Sequence, residues 1–213
     1  MWGDVWGVVA ALAPFLLLLL LLRGDLLPLG TLHLLLTAPP PPLVSIASGW
    51  VRGRWYRSSA GRLFAAFLDI PYGEPPVGAL RFQRPLPAAP WQGVRECTRQ
   101  RHFVQRNIFR SGRPREGVEE ALALSVYSHN LPTTSSTTSL LPTMVFLHGG
   151  GFVSGSGSRM LYGPELLMDR QVVLVTANFR LAVLGNLFLP GAAPGNQMLR
   201  DQLLVLRCRG NLL

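Results

Sequence analysis

The 213-residue chain contains no lysine, and all twenty of its basic residues are arginine. A Walker-type phosphate loop ends in G-K-[ST], so that class of nucleotide site is excluded. Only two cysteines are present, Cys97 and Cys208, which allows at most one internal disulfide. No asparagine lies in an N-x-[ST] sequon, and N-linked glycosylation is not expected. The four histidines are scattered, without ligand spacing to cysteine or carboxylate, so neither a metal nor another cofactor is expected. No serine has a glycine both two residues before and two residues after it. The strained G-x-S-x-G turn that exposes a nucleophile is therefore missing.

The formal charge of +9 comes from arginine alone. Seven arginines crowd the stretch 95–115: Arg95, Arg99, Arg101, Arg106, Arg110, Arg113 and Arg115. Such a run can be a nucleic-acid footprint, but only Phe103 and Phe109 interleave it. It reads as a solvated or anion-facing loop, and no nucleic-acid partner is expected.

Apolar residues concentrate in the first 45 positions. Residues 5–22 carry no charge and end in a leucine run before Arg23, with Pro14 interrupting them. This segment is long for a secretory h-region and has Asp4 where a basic flank is usual. It is also just long enough to span a bilayer. Signal peptide and uncleaved membrane anchor both fit, and either implies export. Leu36-Thr37-Ala38 is the best cleavage candidate, although Pro39 follows it directly. Pro39–Pro42 reads as a polyproline spacer. The expected division is a leader plus spacer over 1–42 and one domain over 43–213.

Within that domain, residues 49–58 and 61–70 read as short extended runs bounded by glycine. Residues 70–85 are too rich in proline for helix. Residues 121–128 suit a strand, and 129–142 form a Ser/Thr-rich loop. Met144–Leu147 and Val172–Val175 are continuous apolar runs, as expected of strands covered on both faces of a parallel sheet. Between them Tyr162–Arg170 reads as a short crossover helix. Gln197–Arg209 reads as a helix with Leu199, Leu203 and Leu206 on one side, Asn196 as N-cap and Gly210 as its stop. The fold class is α/β.

The chemistry-bearing stretch is "TMVFLHGGGFVSGSGS", residues 143–158. As a dinucleotide turn it fails, because Ser154 stands where the third glycine or alanine belongs and His148 has no role there. A plain glycine turn is the bland alternative. The sharper reading is an oxyanion loop, in which bare backbone N–H groups hold the charge that develops on a carbonyl oxygen, each worth roughly 3 kcal/mol. Histidine followed by three glycines after a strand is the esterase form of that device.

In order along the chain stand "GRLFAAFLDIPYGEPPVGALRFQRPLPAAPW", "EEALALSVYS", "LPTMVFLHGGGFVSGSGS", "VVLVTANFRLAVLG" and "APGNQMLRDQLLVLR". From about Pro42 to Cys208 the chain resembles the N-terminal part of type-B carboxylesterases. That group includes insect juvenile-hormone and general esterases, cholinesterases and the catalytically silent neuroligins. The resemblance implies the early part of an α/β-hydrolase fold, with the sheet incomplete. It implies Gly150 and Gly151 as two oxyanion donors, and His148 as the start of the motif without being a base. Asn178, Arg180, Asp201 and Gln202 match positions of structural role. The implied partner is a small-molecule carboxylic ester.

Residues that depart from the family pattern are Ala121 for a cysteine, Ala182 for a glycine, Asn186 for an aromatic, Met198 for a glycine and Cys208 for a tryptophan. The early disulfide of the family is thereby lost. Serine, acid and histidine of a triad, and a third donor beside the nucleophile, would all fall beyond Leu213. The expectation is a truncated or mis-spliced frame that does not hydrolyse esters by itself. A non-catalytic, neuroligin-type or decoy binding protein is the alternative.

Overall fold

A computed structural model describes residues 39–103, 117–131 and 140–208. The leader 1–38, four of the clustered arginines (Arg106, Arg110, Arg113, Arg115) and Gly210 lie outside the described residues. The fold belongs to the unit Pro41–Leu213.

Among the described residues, ten strands form three sheets. Strands β1 (Leu43–Ile46), β2 (Gly49–Arg52) and β5 (Val94–Glu96) make a small sheet in the order β1-β2-β5. Strands β3 (Arg54–Arg57), β4 (Leu63–Pro71), β6 (Ala123–Ser128), β7 (Thr143–Leu147) and β8 (Val173–Ala177) make the main sheet, in the order β3-β4-β6-β8-β7. Two-residue strands β9 (Phe188–Leu189) and β10 (Ala193–Pro194) pair with each other. Helix α1 spans Ala182–Asn186 and helix α2 spans Gln197–Cys208.

The apolar runs of the sequence account for the main sheet. Side chains alternate across a strand, so a strand buried on both faces must be apolar throughout. In β4, Ala65, Phe67 and Ile70 enter one core cluster, while Phe64, Ala66 and Leu68 enter a second. Val173, Val175 and Ala177 of β8 join the first cluster and Leu174 joins the second. A bulge between Phe67 and Ile70 shifts the register of β4 on β6. It places Asp69 at φ 64°.

Three expectations need correction. The sheet is mixed, since only β7 and β8 run parallel in it while the β3–β4, β4–β6 and β6–β8 pairs are antiparallel. The crossover between β7 and β8 is no α-helix: Tyr162–Arg170 holds only a 3₁₀ turn, Leu167–Asp169. The segment closes through single bonds such as Met168 N–H to Pro164 O, 2.8 Å. A full α-helical ladder never starts. Strand β7 is not covered on both faces, since none of its residues is fully buried. Asn196 does stand at the N-cap position of α2, at φ 56°, its carbonyl accepting the first intrahelical bond from Arg200 N–H at 3.0 Å.

Helix α2 also turns its leucines outward. Leu199, Leu203 and Leu206 are exposed, whereas Gln197, Met198, Asp201, Leu204 and Val205 are buried.

Candidate active site

The parallel strands β7 and β8 lie in register from Thr143 opposite Val173 to Leu147 opposite Ala177. Their carboxyl ends therefore stop side by side, the usual place for ligand sites in α/β sheets. Two loops leave there, 148–157 from β7 and 178–181 from β8, and three contacts join them.

The first contact is a stack: the buried His148 ring lies flat on Phe179, centroids 4.2 Å apart and planes 7° apart. The second is a side-chain clamp. Asn178 Oδ1 accepts from Gly157 N–H at 2.9 Å, while its Nδ2 donates to Arg101 O at 2.6 Å. Its own carbonyl receives the Tyr72 hydroxyl at 2.7 Å. The third is Ala182 N–H donating to Phe152 O at 2.7 Å.

Between these ties the glycine turn is sharply bent. Gly150 has φ 136°, Gly151 φ 60° and Phe152 φ 66°. A side chain on Gly150 would overlap the Ser154 carbonyl, so glycine is required there. The Gly150 carbonyl accepts from Val153 N–H, Ser154 N–H and the Ser154 hydroxyl, at 3.2, 3.1 and 3.1 Å. Gly149, Gly150 and Gly151 are all exposed. Among the described residues, the N–H groups of Gly150 and Gly151 have no hydrogen-bond partner. A backbone donor at a strand end normally finds one. Two adjacent free donors at the mouth of a parallel strand pair can hold an anion or a polarised carbonyl oxygen.

Behind the turn, polar groups fix the second half of the loop. Thr176 Oγ1 donates to Gly157 O at 2.7 Å. Gln100 Nε2 donates to Ser125 Oγ at 2.8 Å, and its Oε1 accepts from Arg159 N–H at 2.8 Å. Burial, followed by hydrogen bonds to Thr176, Ser125 and Gln100 that oppose it, raises the Tyr127 hydroxyl above its ordinary value. These positions carried no motif, because their partners are distant in the chain.

Arg180 and Asp201 form a fully buried pair. Arg180 Nε and Nη2 donate to the two Asp201 oxygens at 2.8 and 2.7 Å. Arg180 Nη1 donates to the carbonyls of Arg81 and Gln83, at 3.1 and 2.8 Å. Their role is structural, as the resemblance implied. Gln202 makes no side-chain hydrogen bond among the described residues; its neighbour Gln197 does, to Phe82 O at 2.8 Å. Cys97 and Cys208 are both free thiols.

The carboxylesterase family model matches residues 40–208. The chain belongs to the carboxylesterase family. It is 44% identical over 171 residues to a juvenile hormone esterase of Tribolium castaneum, covering 79% of this chain and 28% of that protein. Esterase FE4 of Myzus persicae is 39% identical over 80% of this chain and 30% of its own length. The acetylcholinesterase of Gallus gallus is 36% identical over 92% of this chain and 27% of its own. The crystal structure of juvenile hormone esterase from Manduca sexta, with OTFP covalently attached, superposes with a TM-score of 0.72 at 34% identity. It covers 80% of this chain and 32% of that one, and it shows the α/β-hydrolase architecture. The chain thus spans under a third of the length of these relatives.

Proposed function

We propose that this chain supplies the oxyanion-holding part of a serine carboxylic-ester hydrolase, with Gly150 and Gly151 as backbone donors to the ester carbonyl. The observation that carries the reading is the exposed glycine turn at the end of β7, in which the Gly150 and Gly151 N–H groups, like those of Gly149 and Phe152, have no partner among the described residues. The two donors are held by glycines at φ 136° and 60°. In acyl transfer the carbonyl oxygen becomes an oxyanion, and donors fixed in advance stabilise it without reorganising. The substrate class is a small-molecule carboxylic ester, approached past three glycines that carry no side chain.

The 213 residues carry no G-x-S-x-G turn. A donor pair without nucleophile, base and acid does not turn over ester. This chain by itself is proposed to be inactive: no hydrolysis of a simple aryl ester above background, and no labelling by a serine-directed phosphonate. Stoichiometric labelling overturns that. The alternative reading is a non-catalytic esterase-like binding protein. Reading the transcript past the codon for Leu213 separates the two. An in-frame serine elbow supports the esterase, and a genuine stop leaves the binding protein.

The donor role is tested in a chimera that joins residues 40–208 to the complementary part of the Tribolium relative. Replacing Gly150 by alanine keeps the N–H but drives a Cβ into the Ser154 carbonyl, and the re-aimed donor should lower kcat for an aryl ester by about 10²–10³-fold, as much as losing an oxyanion donor. Unchanged turnover refutes the assignment. Export, by signal peptide or by an anchor over residues 5–22, is the proposed localisation. Among the described residues no helix is long and apolar enough to cross a membrane.

A further inference from the structure

His148 leaves one question open at the site. It follows β7 directly, is nine-tenths buried, and does no proton transfer in the reading above. Its Nδ1 lies 2.8 Å from the carbonyl oxygen of Gly149. A carbonyl only accepts, so Nδ1 must carry the proton. Nε2 is then a bare lone pair, buried without a partner among the described residues. One ring face is covered by Phe179. Gly155 packs so closely that a side chain there would overlap Nδ1.

We propose that His148 is a positioning residue that holds the glycine turn in its donor geometry only as the neutral, Nδ1-protonated imidazole, so that acid releases the turn. The inference rests for its functional meaning on Gly150 and Gly151 being the oxyanion donors. Its physical basis is local. The Nδ1–H bond fixes the carbonyl of Gly149, and the peptide plane of that carbonyl contains the Gly150 N–H. Rotating or expelling the ring turns that plane and re-aims the donor.

Protonating Nε2 leaves the Nδ1–H donor in place but puts a cation in a buried pocket, and it is expulsion of that cation that releases the turn. The charged side chains of the segments packed around the ring are already committed: Arg180 to Asp201, and Arg159 to Glu165. Among the described residues no carboxylate acts on the imidazole. The Phe179 ring offers a cation some attraction, but it does not replace lost hydration. Burial accordingly lowers the His148 pKa below the ordinary histidine value, opposed in part by the bond to Gly149. The sign follows from this. A depressed pKa means that the full contribution is present above the ordinary value and is lost as pH falls through the folded one.

The test is a pH titration of the full chain labelled with ¹⁵N in histidine and glycine. At neutral pH the His148 ring should show a protonated Nδ1 and an unprotonated Nε2. On acidification its midpoint should fall below the ordinary histidine range. The Gly150 and Gly151 amide resonances should shift with that same midpoint. In His148→Gln, whose amide can donate to Gly149 O without titrating, those two amides should hold their positions across the window. An Nε2-protonated tautomer, a midpoint at or above the ordinary value, or glycine amides that ignore the His148 midpoint each overturn the proposal. The wild-type spectra decide it even where the variant does not fold. No ester enters this measurement, so failure here is distinct from failure of the chimera's hydrolysis.

Discussion

Ala182 sits at φ 50°, where a Cβ crowds the neighbouring carbonyl at a cost of about 1–2 kcal/mol. This is the position at which the family pattern has glycine. Replacing Ala182 by glycine removes that strain, offset by glycine's larger unfolded-state entropy of roughly 0.5–1 kcal/mol. The expected net gain of up to about 1 kcal/mol should raise Tm by about 2–4 °C for a domain of this size. A melt that moves downward would show that the backbone is relaxed there. Gly150 behaves oppositely, because the atom a side chain would strike is backbone, the Ser154 carbonyl, which cannot rotate aside. The two thiols differ by environment. Burial pushes Cys97 up to about 12, with Arg95 opposing, while burial also raises the half-buried Cys208. Maleimide at pH 8 should therefore modify Cys208 first, and Cys97 only after denaturation, since the thiolate is the reactive form. Peptide mapping after timed quenching checks the order.

At the scale of elements, the Arg180–Asp201 pair fastens α2 to the segment that follows β8 and to the carbonyls of Arg81 and Gln83. Substituting asparagine for Asp201 leaves a buried guanidinium without its counter-charge, and should cost about 3–5 kcal/mol in a urea titration. The exposed Arg52–Glu96 pair, at 41% and 55% side-chain exposure, should change stability by no more than about 1 kcal/mol when Glu96 becomes glutamine. Similar losses for both would contradict the assignment of Arg180 and Asp201 as a buried fastening. The same pair explains why the inward face of α2 was hard to read. Leucine spacing selects Leu199, Leu203 and Leu206, yet a charged Asp201 and a Gln197 face inward because distant partners satisfy them. Strands β7 and β8 were legible as strands, since an unbroken apolar run is a local signal, but only β8 is buried on both faces. The segment 162–170 was not: its helix-like composition settles into a single 3₁₀ turn, and no local feature of its sequence explains that.

At the largest scale, β7 is a sheet edge among the described residues, paired there with β8 alone. It carries no charge in "TMVFL". The opposite edge, β3, reads "RWYR" and is protected by arginine. An uncharged open edge invites strand pairing. Lysine in place of Met144, which is 45% exposed on β7, should reduce concentration-dependent association in light scattering without lowering Tm; undiminished association would place the sticky surface elsewhere. The family resemblance, the strand–His–Gly–Gly–Gly device and the lack of a G-x-S-x-G turn within these 213 residues could all be read from the chain directly, because each is a matter of residue types at fixed short spacings. Tertiary structure alone decided that the Gly150 and Gly151 amides stay unpaired, that His148 rests on Phe179, and that Asn178 clamps the returning loop. Those facts depend on two parallel strands ending side by side, a closeness in space that no spacing along the chain records.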